Sequence, residues 1–173
     1  MRIPQLAKAG PWPLCLAILP SCVTPGNGLD EPARKRMLDL IMPARVEIVE
    51  AFTRVKSFDE DATPDGIELL LQGVNAMDNP GLMLAGNIRV ELFEHVPGSA
   101  DPKGRRLEHW DVELATAADQ RRYWNQMTQM YEFRLGADLS RIPPADKYVL
   151  LATYNSPLGD HMSDEVLIVY RQK

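Results

Sequence analysis

The sequence predicts an all-β fold: an antiparallel two-sheet β-sandwich of about seven strands with one short crossover helix. Three observations carry this. Seven runs between residues 44 and 171 alternate apolar and polar residues or are apolar throughout, as half-buried and central strands do. The breaks between them hold Pro, Gly, Asn and Asp in turn-forming order. The runs are short and closely spaced, which suits two packed sheets better than a parallel sheet with long crossovers.

In chain order, Asp30-Glu31-Pro32 ahead of ARKRMLDLIM reads as one or two helical turns, with Asp30 as the N-cap and Pro43 as the stop. Run 44–55 sets Val46, Ile48 and Phe52 on one face against Arg45, Glu47 and Thr53. Thr63-Pro64-Asp65-Gly66 reads as a tight hairpin turn into run 66–74, where Ile67, Leu69 and Leu71 oppose Glu68 and Gln72. Asp78-Asn79-Pro80-Gly81 is a longer loop. Run 87–95 then sets Ile88, Val90 and Leu92 against Arg89 and Glu91. After the Gly/Pro loop 97–104, run 105–114 sets Trp110, Val112 and Leu114 against His109, Asp111 and Glu113. Thr116-Ala117-Ala118-Asp119 has the pattern of a helix N-cap box, and 117–127 has helical composition, which makes the crossover helix. Run 130–135 places Tyr131, Phe133 and Leu135 opposite Glu132 and Arg134. Runs 147–155 and 165–171 are apolar on both faces, as central strands are, and Ser156-Pro157-Leu158-Gly159 turns between them.

Ile142-x-Pro144-x-x-x-Tyr148, leading into Val149, Leu150 and Leu151, resembles the tyrosine corner that opens strand F of fibronectin type III and immunoglobulin-like domains. The resemblance implies an upstream backbone partner for the Tyr148 hydroxyl. It covers about ten residues, and a transthyretin-like topology remains an equal expectation. A Cys…Trp…Cys spacing is absent, which excludes an antibody-type domain.

The N-terminus has another character. The first 21 residues hold Arg2 and Lys8 and no acid, followed by the apolar run Leu14 to Leu19 and the small residue Ser21. That is the plan of a cleaved export signal, and the run is far short of the ~20 apolar residues of a membrane span. Leu19-Pro20-Ser21-Cys22 resembles the lipobox of bacterial lipoproteins. The resemblance implies cleavage before Cys22, diacylglyceryl attachment to its thiol, and a cell-envelope location. Val23 stands where an Asp would signal inner-membrane retention, which favours the outer membrane facing the periplasm. The chain therefore divides into a lipoprotein-type signal peptide over 1–21, a tether and short helix over 22–42, and the sandwich domain over 43–173. Cys22 is the one site residue expected, for lipidation.

The 173 residues carry 19 Lys and Arg against 24 Asp and Glu, a net charge of −5. With no extended basic cluster, nucleic acid is not an expected partner. The expected partners are a membrane, through the lipid anchor, and a protein or glycan whose identity the sequence does not give. His95, His109 and His161 lack the close paired spacing of zinc ligands. The acidic stretch Asp59 to Gly66 fails the calcium-loop pattern at Pro64 and Leu70, and reads as a solvated turn. The second acidic loop, Asp160 to Glu165, would join it only if the fold brought both to one end. No nucleophile elbow or phosphate loop is present, and Ser99 and Ser156 stand beside no histidine in sequence. Lys103, Arg105 and Arg106 read as a charged loop tip. Trp124 is expected to pack the crossover helix onto the sandwich and Trp110 has core spacing, although Tyr123, Trp124 and Tyr154 would make a sugar platform if exposed. No catalytic residue, metal or cofactor is expected. The expectation is a non-catalytic binding or scaffolding protein. Its competitors are a hydrolase gathering His161, Asp160 and Asp164 with a distant serine, and a carbohydrate- or calcium-dependent adhesion module.

Overall fold

A computed structural model describes residues 30–59, 63–138, 142 and 147–170. The export-signal segment 1–21, Cys22, the tether to residue 29, Glu60 to Ala62 of the acidic stretch and Pro144 lie outside the described residues. The first element is helix α1, Glu31–Ile41, longer than the one or two turns expected. Asp30 caps it as its side chain accepts from the Ala33 N–H at 2.9 Å, and Pro43 follows the C-cap at Met42.

The strands close into two antiparallel sheets. One is built on β3, Gly66–Val74, with β1, Arg45–Ile48, and β2, Arg54–Lys56, along one edge. Its other edge pairs with β8, Met130–Gly136, and with the short β4, Pro80–Leu82; the two-residue β7, Trp124–Asn125, extends the sheet beyond β8. The second sheet has the order β10-β9-β5-β6, formed by His161–Val169, Lys147–Asn155, Asn87–His95 and Lys103–Glu113. Counted individually there are ten strands among the described residues. The β-sandwich was legible as about seven because β1 and β2 are one interrupted run, while β4 and β7 are only two or three residues long.

The core lies between the sheets. Ile67, Leu69, Leu71, Tyr131 and Phe133 are buried from one side, and Ile88, Val90, Leu92, Leu150, Ala152 and Tyr154 from the other. Each fully buried Leu, Ile or Phe contributes about 1.5–3 kcal/mol of transfer free energy, so this layer dominates the fold's stability. Ile142 and Tyr148 are buried as well. No helix among the described residues is long and apolar enough to cross a membrane.

Four local expectations are corrected. Phe52 is 56% exposed and Thr53 is buried, the reverse of the simple alternation. A 3-10 turn at Glu50–Phe52 interrupts the run and shifts its parity. There the Leu70 N–H donates to Thr53 Oγ1 at 3.2 Å, so a hydroxyl replaces a lost strand carbonyl. The β2–β3 connection is not a tight turn at 63–66. It is the loop 57–65, in which the Phe58 N–H donates to Asp65 Oδ2 at 2.7 Å. Strand β10 begins at His161 and lies at a sheet edge, so Val166 and Ile168 are buried while Leu167 and Val169 face solvent. The crossover helix α2, Ala117–Tyr123, stops short of 127 because Trp124 already pairs with Tyr131 across β7–β8.

Candidate functional site

Helix α2 and strand β7 cover the side of the sandwich between β6 and β8. Their position follows from local sequence. Thr116 and Asp119 form the expected capping box: Thr116 Oγ1 accepts from the Asp119 N–H, and Asp119 Oδ2 accepts from the Thr116 N–H at 2.9 Å. Hydrogen bonds from the Thr116 hydroxyl and N–H hold the Asp119 carboxyl below its ordinary range. One turn on, Gln120 reaches into the core. Its Nε2 donates to the carbonyls of Leu84 and Leu114 at 2.8 and 2.9 Å, and its Oε1 accepts from the Tyr131 hydroxyl at 2.6 Å. The Leu84 N–H in turn donates to Tyr131 Oη at 2.8 Å.

Beyond the helix, Asn125 Oδ1 accepts from the Met127 and Thr128 N–H groups, and Gln129 takes the left-handed conformation at φ 56°. The chain thereby reverses into β8, leaving a shallow groove of about 580 Å³ lined by Arg122, Tyr123, Trp124, Glu132 and Arg134. Glu132 Oε1 accepts from Asn125 Nδ2 at 2.6 Å. Tyr123 packs tilted on Phe133 with centroids 5.2 Å apart, and Trp124 meets Tyr131 edge-on at 4.9 Å. Each ring is half-buried against the core. Trp124 does pack onto the sandwich, from a strand rather than from the helix. Tyr154 is buried, its hydroxyl donating to the Ala85 carbonyl at 2.7 Å, so it belongs to no exposed platform.

The other candidates are dispersed. His95 pairs in register with Lys103 and His161 with Asn155, at opposite ends of the second sheet; His109 is exposed on β6. Among the described residues no group of three or more His, Cys, Asp or Glu side chains is placed to hold a metal ion. The two acidic stretches do not meet, and the second is not a loop. His161 to Glu165 belong to β10, and Asp160 lies beside Ala44 and Ala76 near the Val74 end of β3, whereas the described part of the first leads into Gly66 at the opposite end of that strand. Ser156 is a turn residue whose Oγ accepts from the Leu158 N–H. Ser99 lies in the loop after β5.

Lys103, Arg105 and Arg106 are strand residues of β6, not a loop tip. Lys103 Nζ lies 2.6 Å from Glu165 and 2.9 Å from Asp101, and Arg106 pairs with Glu91 at 2.8 Å. Two of the three cations are thus committed to carboxylates of the same chain. Alongside them Arg89 and Asp111 form a forked pair on the exposed face, and Arg89 holds the Asp111 carboxyl below its usual range.

His161, Asp160 and Asp164 take separate roles. His161 Nδ1 lies 2.7 Å from Asn155 Oδ1. Asp164, on edge strand β10, reaches across the sandwich and accepts from the Ile48 N–H of β1 at 2.7 Å. This acid clasps the two sheets where β10 has no further strand partner. Asp164→Ala is expected to cost about 1–3 kcal/mol by stranding that part-buried donor. Asp164→Asn, which retains an acceptor, should cost less. Urea unfolding of both variants checks this, and two curves superimposing on that of the parent would remove the clasp.

No family model, curated protein or solved structure matches the chain. The site residues therefore stand on their own geometry. Sequence reasoning missed Gln120, and it named Asp164 only for a cluster with His161 and Asp160, not for its bond to the Ile48 N–H in a distant segment.

Proposed function

We propose that this protein is exported, lipid-anchored at Cys22, and works as a non-catalytic binding or scaffolding module at the cell envelope. One observation carries the reading. The cysteine of Leu19-Pro20-Ser21-Cys22 ends a short apolar run after two positive charges, and a β-sandwich follows a short way downstream. A thiol at that position, with two or three acyl chains, would hold the domain firmly, at about 0.8 kcal/mol per buried CH₂. The dispersal of histidines, serines and carboxylates supports binding over hydrolysis. An immunoglobulin-like affiliation belongs to the same proposal. With β1 and β2 taken as one strand, and β4 and β7 left aside, the strand order is 1-2-5 in one sheet and 7-6-3-4 in the other, which corresponds to A-B-E and G-F-C-C′.

The test is mass spectrometry of the mature protein, with membrane fractionation of the parent and Cys22→Ala chains. The expected result is a chain beginning at Cys22 with an added acyl mass, and release of Cys22→Ala from the membrane fraction. An unmodified Cys22, or fractionation unchanged by the substitution, would overturn the anchoring.

A further inference from the structure

None of the residues of helix α1 is buried, although four are large and apolar. Met37, Leu38, Leu40 and Ile41 are 49, 44, 46 and 60% exposed. An eleven-residue helix is marginal in water by itself, so α1 depends on whatever covers it. Its orientation is set at its C-terminal half. The Asp39 carbonyl accepts from the Ala76 N–H, and the Leu40 carbonyl accepts from Asn75 Nδ2 at 2.9 Å. Leu38, Asp39 and Met42 line a hollow against Ala76, Leu158 and Asp160 of the body.

At about 100° per residue, Leu40, Met37 and Ile41 then form one arc on the side away from that hollow. Arg36 borders the arc on one flank and Arg34 on the other, while Glu31, Lys35 and Asp39 lie opposite. Arg34 meets Glu31 at 2.6 Å, an exposed pair that salt and competing anions displace easily. An apolar arc with guanidinium groups at both borders is the pattern of a helix lying in a lipid interface. The apolar side chains enter the acyl boundary and the long cationic ones reach the headgroups.

We propose that α1 docks on the surface of a bilayer containing anionic lipid, with Met37, Leu40 and Ile41 inserted and Arg34 and Arg36 on the headgroups. One further observation favours a bilayer as the occupant. Residues 43–173 carry a net charge of −7, whereas residues 30–42 are neutral overall with Arg34 and Arg36 beside the arc, so an anionic surface repels the body and meets α1 through those two cations, which orients the molecule. A second argument rests on the proposed anchor: residues 22 to 30 span at most ~28 Å fully extended, so a lipidated Cys22 keeps α1 close to the membrane.

The test uses the full chain carrying Cys22→Ala, so that failure of the anchoring proposal does not decide this one. The chain is co-sedimented with vesicles of phosphatidylcholine alone and with about 30 mol % phosphatidylglycerol. The anionic vesicles should bind roughly thirtyfold more tightly, about the effect of two cations near the surface. Arg34→Ser with Arg36→Ser should abolish that preference. Met37→Glu with Ile41→Glu should reduce binding to both vesicles, with an unchanged melting temperature showing that the sandwich is intact. Equal binding by the parent and both variants would overturn the proposal. So would a dimer, seen by sedimentation velocity without lipid and lost in Met37→Glu with Ile41→Glu, which would assign the arc to a second copy.

Discussion

Gly66→Ala is expected to destabilise the sandwich by about 3 kcal/mol, whereas Gly136→Ala, directly opposite in the β3–β8 register, should stay within about 0.5 kcal/mol of the parent. The contrast comes from what a methyl group would meet. At Gly66 a Cβ would press into the carbonyl oxygen of Leu135 and lie 2.9 Å from the Phe58 ring. The carbonyl belongs to the backbone of the neighbouring strand and cannot swing aside as a side chain would. At Gly136 nothing lies within 4 Å of the added atom. Relief at Gly66 would require β8 to move away from β3, with Phe133 and Leu135 leaving the core layer. For a chain of this size the expected loss is about 6–12 °C in melting temperature. Calorimetry on the two single variants decides the matter: equal melting temperatures would show that β3 and β8 do not approach so closely.

Gly66 marks the boundary of what could be read from the sequence. Ile67, Leu69 and Leu71 of β3, and Tyr131, Phe133 and Leu135 of β8, were assigned to the core correctly, because alternation is a direct consequence of side chains pointing to opposite faces. The capping box of α2 was legible for the same local reason. Parity failed at Phe52 and Thr53. The intervening 3-10 turn carries no Gly or Pro, and it is sustained by a bond to Leu70 in another strand. The edge position of β10 was hidden because edge and centre differ only in pairing order. At the candidate site Trp124's packing could be anticipated, but the bond from Ile48 to Asp164 joins residues more than a hundred positions apart. In α1 the helix itself was legible, yet the significance of its apolar arc depends on the body covering a different side.

The second large effect is expected at Tyr131, whose hydroxyl is the hub of the bonds that fasten α2 to the sandwich. Tyr131→Phe preserves the ring and its edge contact with Trp124, but it strands the Leu84 N–H and the Gln120 Oε1 in the interior. Two buried polar groups without partners imply a cost of about 2–4 kcal/mol. The same hydroxyl imposes a pH dependence. Burial raises the Tyr131 pKa above its ordinary value, although its bonds to Leu84 and Gln120 act the other way. The folded chain therefore keeps a proton that the unfolded chain releases near pH 10. Above that pH the unfolded state binds fewer protons, so stability falls as pH rises through the folded pKa; below it the contribution is complete and constant. The parent should lose up to about 1.4 kcal/mol more per pH unit than Tyr131→Phe in this alkaline window, which brings the two unfolding curves together. Urea titrations at successive pH values measure that convergence. Parallel curves for parent and variant through the alkaline range would mean that Tyr131 ionises as freely in the fold as outside it, and that the hydroxyl is not sealed beneath α2.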